Sequence, residues 1–242
     1  MVRKRKGDAV SGVLLLDKPA GLSSNNALQK AKWLLHAAKA GHGGTLDPMA
    51  TGLLPLLLGE ATKFSSDLLE ADKSYRAWVQ LGVRTNTADA DGDVIETRPV
   101  SATRADIEAA VARFVGDIEQ IPPMVSALKR DGQPLYVYAR QGIEIERQAR
   151  HVHIARIEVL QVEEESARFC IDVDCSKGTY IRTLAEDIGA VLGCGAHLCG
   201  LTRTRVGVLT LAQAITLPAL EALSPQGRRD ALQPADTLLQ GL

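Results

Sequence analysis

The sequence predicts an α+β fold: a mixed, mostly antiparallel sheet with helices on its faces. Three observations lead there. Stretches such as Lys73 to Leu81 alternate apolar and polar residues with the two-residue period of a half-buried strand. Capped helical stretches lie among the strands without the regular strand–helix–strand rhythm of a parallel sheet. The chain has 242 residues, 45% hydrophobic and 24% charged, enough for one large domain or two small ones around a substantial core.

In order along the chain, Gly12 to Leu16 reads as a buried strand ended by Asp17-Lys18-Pro19-Ala20-Gly21. Ser23 or Ser24 can cap a helix running to about Ala38, with apolar positions at Ala27, Leu28, Ala31, Leu34 and Leu35. A glycine-rich loop follows, then the apolar run Leu53 to Leu58, suited to a buried strand, and a helix over Glu60 to Leu69. In Lys73 to Leu81 the residues Tyr75, Ala77, Val79 and Leu81 share the inward face. Arg84 to Glu96 reads as an acidic, solvated loop with an Asp91-Gly92 turn; it lacks the twelfth-position glutamate of a calcium loop. Thr103 with Asp106 opens a helix to Phe114. Val152 to Leu160 and Ala167 to Cys175 form a strand pair around Glu163-Glu164-Glu165-Ser166. Thr179 to Leu192 is helical, Gly195 to Val208 carries a strand, and a helical segment starts at Leu209.

Composition narrows the function. No apolar run approaches the roughly 20 residues of a membrane-crossing helix, and the basic start Arg3-Lys4-Arg5-Lys6 is not followed by the apolar core of a secretion signal. The formal net charge is −1, so any nucleic-acid contact is local rather than global. Cys170, Cys175, Cys194 and Cys199 lack metal-binding spacing and read as free thiols of a reducing cytoplasm. His151 and His153 share a strand face, but no carboxylate sits at the next same-face positions. No metal and no cofactor are expected.

Two stretches stand out. In Gly41-His42-Gly43-Gly44-Thr45-Leu46-Asp47-Pro48-Met49-Ala50-Thr51-Gly52, four glycines let the backbone approach a ligand, and Pro48 disfavours the helical conformation at Asp47. An exposed acid beside a histidine results; the simpler alternative is a turn residue or helix cap. The second stretch, from about 120 to 150, is broken by Ile121-Pro122-Pro123 and Gly132-Gln133-Pro134. It carries Lys129, Arg130, Arg140 and Arg147 interleaved with Tyr136 and Tyr138. Cations among aromatics suit a surface that grips an RNA backbone and contacts bases, against the plainer reading of a solvated excursion.

Four segments together resemble the bacterial tRNA pseudouridine-55 synthases, the TruB family. They are Leu15-Leu16-Asp17-Lys18-Pro19-Ala20-Gly21-Leu22-Ser23-Ser24, the Gly41 to Gly52 loop, Lys73-Ser74-Tyr75-Arg76, and Cys175-Ser176-Lys177-Gly178-Thr179-Tyr180-Ile181-Arg182-Thr183-Leu184. Their order and spacing match from about residue 10 to residue 210. The resemblance implies a pseudouridine synthase fold with a central catalytic cleft, and isomerisation of uridine 55 in the TΨC loop of tRNA. It maps the nucleophile to Asp47, the tyrosine against the target base to Tyr75, and the arginine pairing with the aspartate to Arg182. His42 matches the histidine that meets the RNA loop as the uridine leaves its stack. Tyr180 and Leu201 match base-pocket positions, and Lys18 and Pro19 the motif packed beside the cleft.

On this reading residues 1–9 are a basic tail, 10–210 the catalytic domain, and 211–242 a helical segment too short for the C-terminal RNA-binding PUA domain usual in the family. Gly43 stands where the family more often has Thr, which would loosen the loop. Lys129 and Arg130 would clamp the T-arm. The expected protein is a cytoplasmic monomer with tRNA as its partner and no membrane contact.

The chemistry is coherent. Flipping a base costs a few kcal/mol, which His42 can partly offset, and Tyr75 offers a ring to the everted uracil. A free aspartate has a pKa of about 3.9; a dry pocket raises it, and the Arg182 guanidinium opposes that rise. The competing readings are a tRNA-folding chaperone that works by T-loop binding without chemistry, a guide-RNA-dependent relative, and an unrelated hydrolase using Asp47 and His42.

Overall fold

The computed structural model describes residues 7–126 and 128–239. The basic segment Arg3 to Lys6 lies outside them. In chain order the elements are β1 (Gly12–Lys18), α1 (Ser24–Leu34), β2 (Ala40–His42), β3 (Thr51–Leu58), α2 (Ser65–Glu70), β4 (Lys73–Leu81), β5 (Val83–Thr85) and β6 (Val94–Thr97). There follow α3 (Arg104–Ala112), β7 (Gly116–Gln120), β8 (Lys129–Arg130), β9 (Gln133–Pro134), α4 (Leu135–Arg140), β10 (Arg150–Glu163), β11 (Arg168–Cys175) and α5 (Ile181–Leu192). The chain ends with β12 (Ala196–Val206), β13 (Leu209–Thr210), β14 (Ile215–Thr216), α6 (Leu217–Ala222) and α7 (Pro225–Asp230). Its described residues form two compact units, one within 1–75 and 202–242 and the other within 76–201.

In the first unit β1 pairs antiparallel with β3, from Gly12 opposite Leu58 to Lys18 opposite Gly52. β14 lies parallel to β1. Along its other edge β3 pairs first with Thr202 and Arg203 of β12, in parallel, and then with β2. One buried apolar cluster of this unit comprises Val13, Leu15, Leu53, Leu57, Ala61, Leu68, Val206, Leu209 and Leu238. Here α1 stops at Leu34 instead of reaching Ala38. His36 takes a φ of 50°, and Asp8 draws residues 36–38 into backbone pairing: its N–H donates to His36 O at 2.7 Å and its C=O accepts from Ala38 N at 2.9 Å. The helix expected over 60–69 begins as a 3-10 helix (Gly59–Phe64) and becomes α2 only at Ser65.

In the second unit the strand order is β12, β4, β11, β10, β7, with β10 antiparallel to both of its neighbours. The alternation in β4 buries Ala77, Val79 and Leu81, and Phe169, Ile171 and Val173 do the same in β11. α3 opens on the expected capping box, Thr103 with Asp106. The strand β7, Gly-Asp-Ile-Glu-Gln, has no apolar run to announce it. It lies antiparallel to β10 and sets Glu119 opposite His151 and Asp117 opposite His153. Those carboxylates come from a neighbouring strand, where sequence spacing along β10 cannot show them. Of the four cysteines, three are buried and Cys199 is half-buried.

Candidate active site

Asp47 lies in the first unit between β2 and β3, half-buried. Of the two serines that could cap α1, Ser23 does so, accepting from Asn26 N at 3.1 Å. Ser24 is released to turn inward and is 2% exposed. Its Oγ accepts from Leu46 N at 2.8 Å and donates to Leu46 O at 2.9 Å, so one hydroxyl satisfies both polar backbone groups of the residue before Asp47. On the other side Pro48 O accepts from Gly21 N at 2.7 Å and from Lys18 Nζ at 3.4 Å. Ala50 N donates to Asp47 O at 3.0 Å and closes a turn around the acid. The loop is not loosened at Gly43: a Cβ there would come within 2.4 Å of the Leu68 side chain, which fills the space.

Lys18 is fully buried, and its ammonium also donates to Pro19 O at 2.8 Å and Leu22 O at 2.7 Å. Burial lowers its pKa to about 8; the Asp47 charge opposes the shift and the Arg203 charge adds to it. Pro19 itself is exposed. His42 ends β2 half-buried, with an Nδ1 that has no hydrogen-bond partner among the described residues. Burial, and then the Arg203 charge, lower its pKa and favour the neutral ring. Tyr75 is buried on β4 as the alternation predicts, next to Ser74, whose hydroxyl accepts from Arg205 Nε at 2.9 Å. Asp47, His42, Tyr75, Lys18 and Pro19 thus share one unit.

Tyr180, Arg182 and Leu201 belong to the second unit. Tyr180 precedes α5 and is held by a buried amide: Gln120 Oε1 accepts from Tyr180 N at 2.9 Å, and Gln120 Nε2 donates to Tyr180 O at 3.2 Å. Thr183 Oγ1 adds a bond to Ile121 O at 3.1 Å. Arg182, in the first turn of α5, is 5% exposed and therefore not a helix-surface residue. Its Nε lies 3.9 Å from Asp89 Oδ2, and it donates to Thr87 O at 3.4 Å. Leu201 is half-buried on β12. The acidic stretch Arg84 to Glu96 is not the wholly solvated loop expected from the sequence. It is bracketed by the β5–β6 hairpin, and Asp89 is buried, accepting from Thr87 Oγ1 at 2.6 Å and Asp91 N at 3.1 Å.

Comparison with known proteins decides the family. The TruB family pseudouridylate synthase (N terminal domain) matches residues 32–181, and the tRNA pseudouridylate synthase B C-terminal domain matches residues 182–240. The chain belongs to the TruB family. The tRNA pseudouridine synthase B of Ralstonia nicotianae is 62% identical over 235 residues, covering 96% of this chain and 75% of the relative. That of Ectopseudomonas mendocina is 58% identical over 241 residues, covering 98% and 78%. Among solved structures, a Cbf5-Nop10-Gar1 complex superposes with a TM-score of 0.75 at 32% identity, over 96% of this chain and 62% of that one. An archaeal box H/ACA sRNP Nop10-Cbf5 complex gives 0.72 at 29%, over 96% and 62%. The α+β fold is that of the pseudouridine synthases.

For this TruB-family chain, sequence reading proposes residues to meet a substrate and leaves out the buried side chains that hold the backbone around them. The sequence marks Ser24 only as a candidate cap and Asp89 only as part of an acidic loop, and does not mark Gln120 or Arg203. A second serine beside a cap and an aspartate between Thr87 and Asp91 are the only local signals; Gln120 and Arg203 have none. The basic excursion expected to grip RNA folds as the β8–β9 hairpin and α4. Its turn, Asp131-Gly132, has φ of 50° and 79°, the pattern of a tight two-residue hairpin. Lys129 and Arg130 are exposed on it, and the Arg140 guanidinium stacks 5.3 Å from the Tyr136 ring. No described helix is long and apolar enough to cross a membrane.

Proposed function

We propose that this chain converts uridine 55 in the TΨC loop of tRNA to pseudouridine, with Asp47 as the nucleophile. The observation that carries the reading is the fixation of Asp47. The peptide before it is bonded by Ser24, the carbonyl after it by Gly21 N–H and Lys18, and the acid's own C=O by Ala50. A carboxylate held this way meets an everted base without a search through loop conformations. Pseudouridine formation in tRNA follows from the family and from the relatives' named activity.

The reaction is an isomerisation: the bond from ribose to uracil nitrogen breaks, the base turns, a bond to uracil carbon 5 forms, the carbon 5 proton leaves and the freed nitrogen gains one, while the bond Asp47 makes as nucleophile is broken again to restore the carboxylate. His42 meets the RNA as the uridine flips, with a ring that burial keeps neutral. Tyr75 stacks on the base, Tyr180 and Leu201 line its pocket, and Arg182 keeps the attacking carboxylate ionised while water is excluded. Lys129 and Arg130 contact T-arm phosphates, and the chain acts as a monomer without a cofactor. The test is incubation with an unmodified tRNA transcript and mapping of pseudouridine by position. A single new pseudouridine at position 55 is expected; none, or one elsewhere, overturns the proposal.

A further inference from the structure

Arg203 is used by none of the roles above, yet it is 1% exposed and among the largest fully buried side chains of the protein. It lies on β12 beside Gly52 of β3, in parallel register. The two backbones approach so closely that a Cβ on Gly52, whose φ is 103°, would come within 2.4 Å of Arg203 O. From there the guanidinium reaches back over the Asp47 loop. Nε donates to Leu53 O at 2.8 Å, one terminal nitrogen to Thr45 O at 3.4 Å and the other to Gly44 O at 3.2 Å. Among the described residues its hydrogen bonds all go to main-chain carbonyls, and no carboxylate lies within ion-pair distance.

The carbonyls it ties together bracket the nucleophile, Gly44 and Thr45 before Asp47 and Leu53 after it. A planar fork can join two such chain segments; a lysine, with a compact ammonium, cannot span them in the same way. Burying a cation this completely is unfavourable unless its donors are satisfied, so the loop carbonyls and the guanidinium hold one another in a single arrangement.

We infer that Arg203 is a positioning residue for isomerisation, fixing Asp47 by clamping the two arms of its loop. The inference rests on the nucleophile reading of Asp47. Because Arg203 is sealed from solvent, RNA does not touch it, and its loss acts on the chemical step rather than on binding.

The experiment measures single-turnover isomerisation of a tRNA transcript, the Kd for that transcript and the melting temperature for Arg203→Met and Arg203→Lys, with Asp47→Asn alongside. Misplacing a reacting group by about 1 Å can cost about 100-fold in rate, and a fall of that order is expected in folded Arg203→Met while Kd stays near wild type. Arg203→Lys, which keeps the charge and part of the bonding, recovers some of the rate. A folded Arg203→Met at near wild-type rate, or one whose Kd worsens as much as its rate, overturns the inference. Failure of both variants to fold also overturns it, making Arg203 a core residue only. Turnover by Asp47→Asn brings down the nucleophile reading itself; an inert Asp47→Asn beside a fully active Arg203→Met removes the clamp alone.

Discussion

The Asp47 loop and the Lys129–Arg130 hairpin both carry charge on a glycine-containing connection, and they are held in opposite ways. The first is fixed from behind by three buried polar side chains, Ser24, Lys18 and Arg203, all bonded to its backbone. The second is a two-residue turn supported by main-chain pairing and by Tyr138, whose hydroxyl donates to Arg130 O at 3.2 Å, with its cations in solvent. The contrast suits the tasks proposed for them. Bond formation depends on tenths of an ångström, so burying two cations behind the acid is tolerated. Attraction to phosphates falls off gently with distance, so an exposed, adjustable hairpin suffices. Each charge-assisted bond behind the acid contributes about 1.5–3 kcal/mol net, set against the cost of desolvating the cation.

The largest effect that would break this comparison lies at Lys18. Lys18→Met removes a cation bonded to Pro48 O and should lower single-turnover isomerisation on the order of 100-fold, with tRNA affinity little changed. The same residue gives a pH signature. Below about 8 the ammonium offers three N–H donors to Pro19, Leu22 and Pro48. Above that the amine retains two, so the rate should decline as pH rises through about 8. Stability moves the other way. The folded pKa lies below the unfolded one, so the native state releases its proton first, and this group's contribution to stability grows between about 8 and about 10.4. A pH–rate profile and denaturant titrations across that window check both limbs. A rate flat to high pH would mean that Lys18 does not hold the loop.

A smaller effect sharpens the other side. Replacing Lys129 and Arg130 by Ala should flatten the log–log salt dependence of tRNA affinity by up to about 0.9 per lost phosphate contact, while the rate at saturating tRNA stays near wild type. An unchanged slope would remove the hairpin from the RNA interface.

Much of the fold was legible because its signals are local. The alternation of Lys73 to Leu81, the Thr103–Asp106 capping box and the acidic turn between β10 and β11 each lie within a few residues of chain. What could not be read depends on partners far away in sequence. β7 is too polar to look like a strand and exists through its pairing with β10. The end of α1 is set by Asp8, and the burial of Asp89 by the chain folding around it. In the candidate site, the glycines and proline of the loop draw attention to Asp47 in the sequence, whereas Arg203 reaches carbonyls some 150 positions earlier, a contact no spacing rule can anticipate.

The most direct measurement is single-turnover pseudouridine formation by Asp47→Asn at saturating tRNA, with the Kd determined in parallel. The variant should bind tRNA like the wild-type protein and form no pseudouridine. Turnover close to the wild-type rate would contradict the assignment of the nucleophile and, with it, the reason for holding this loop so firmly.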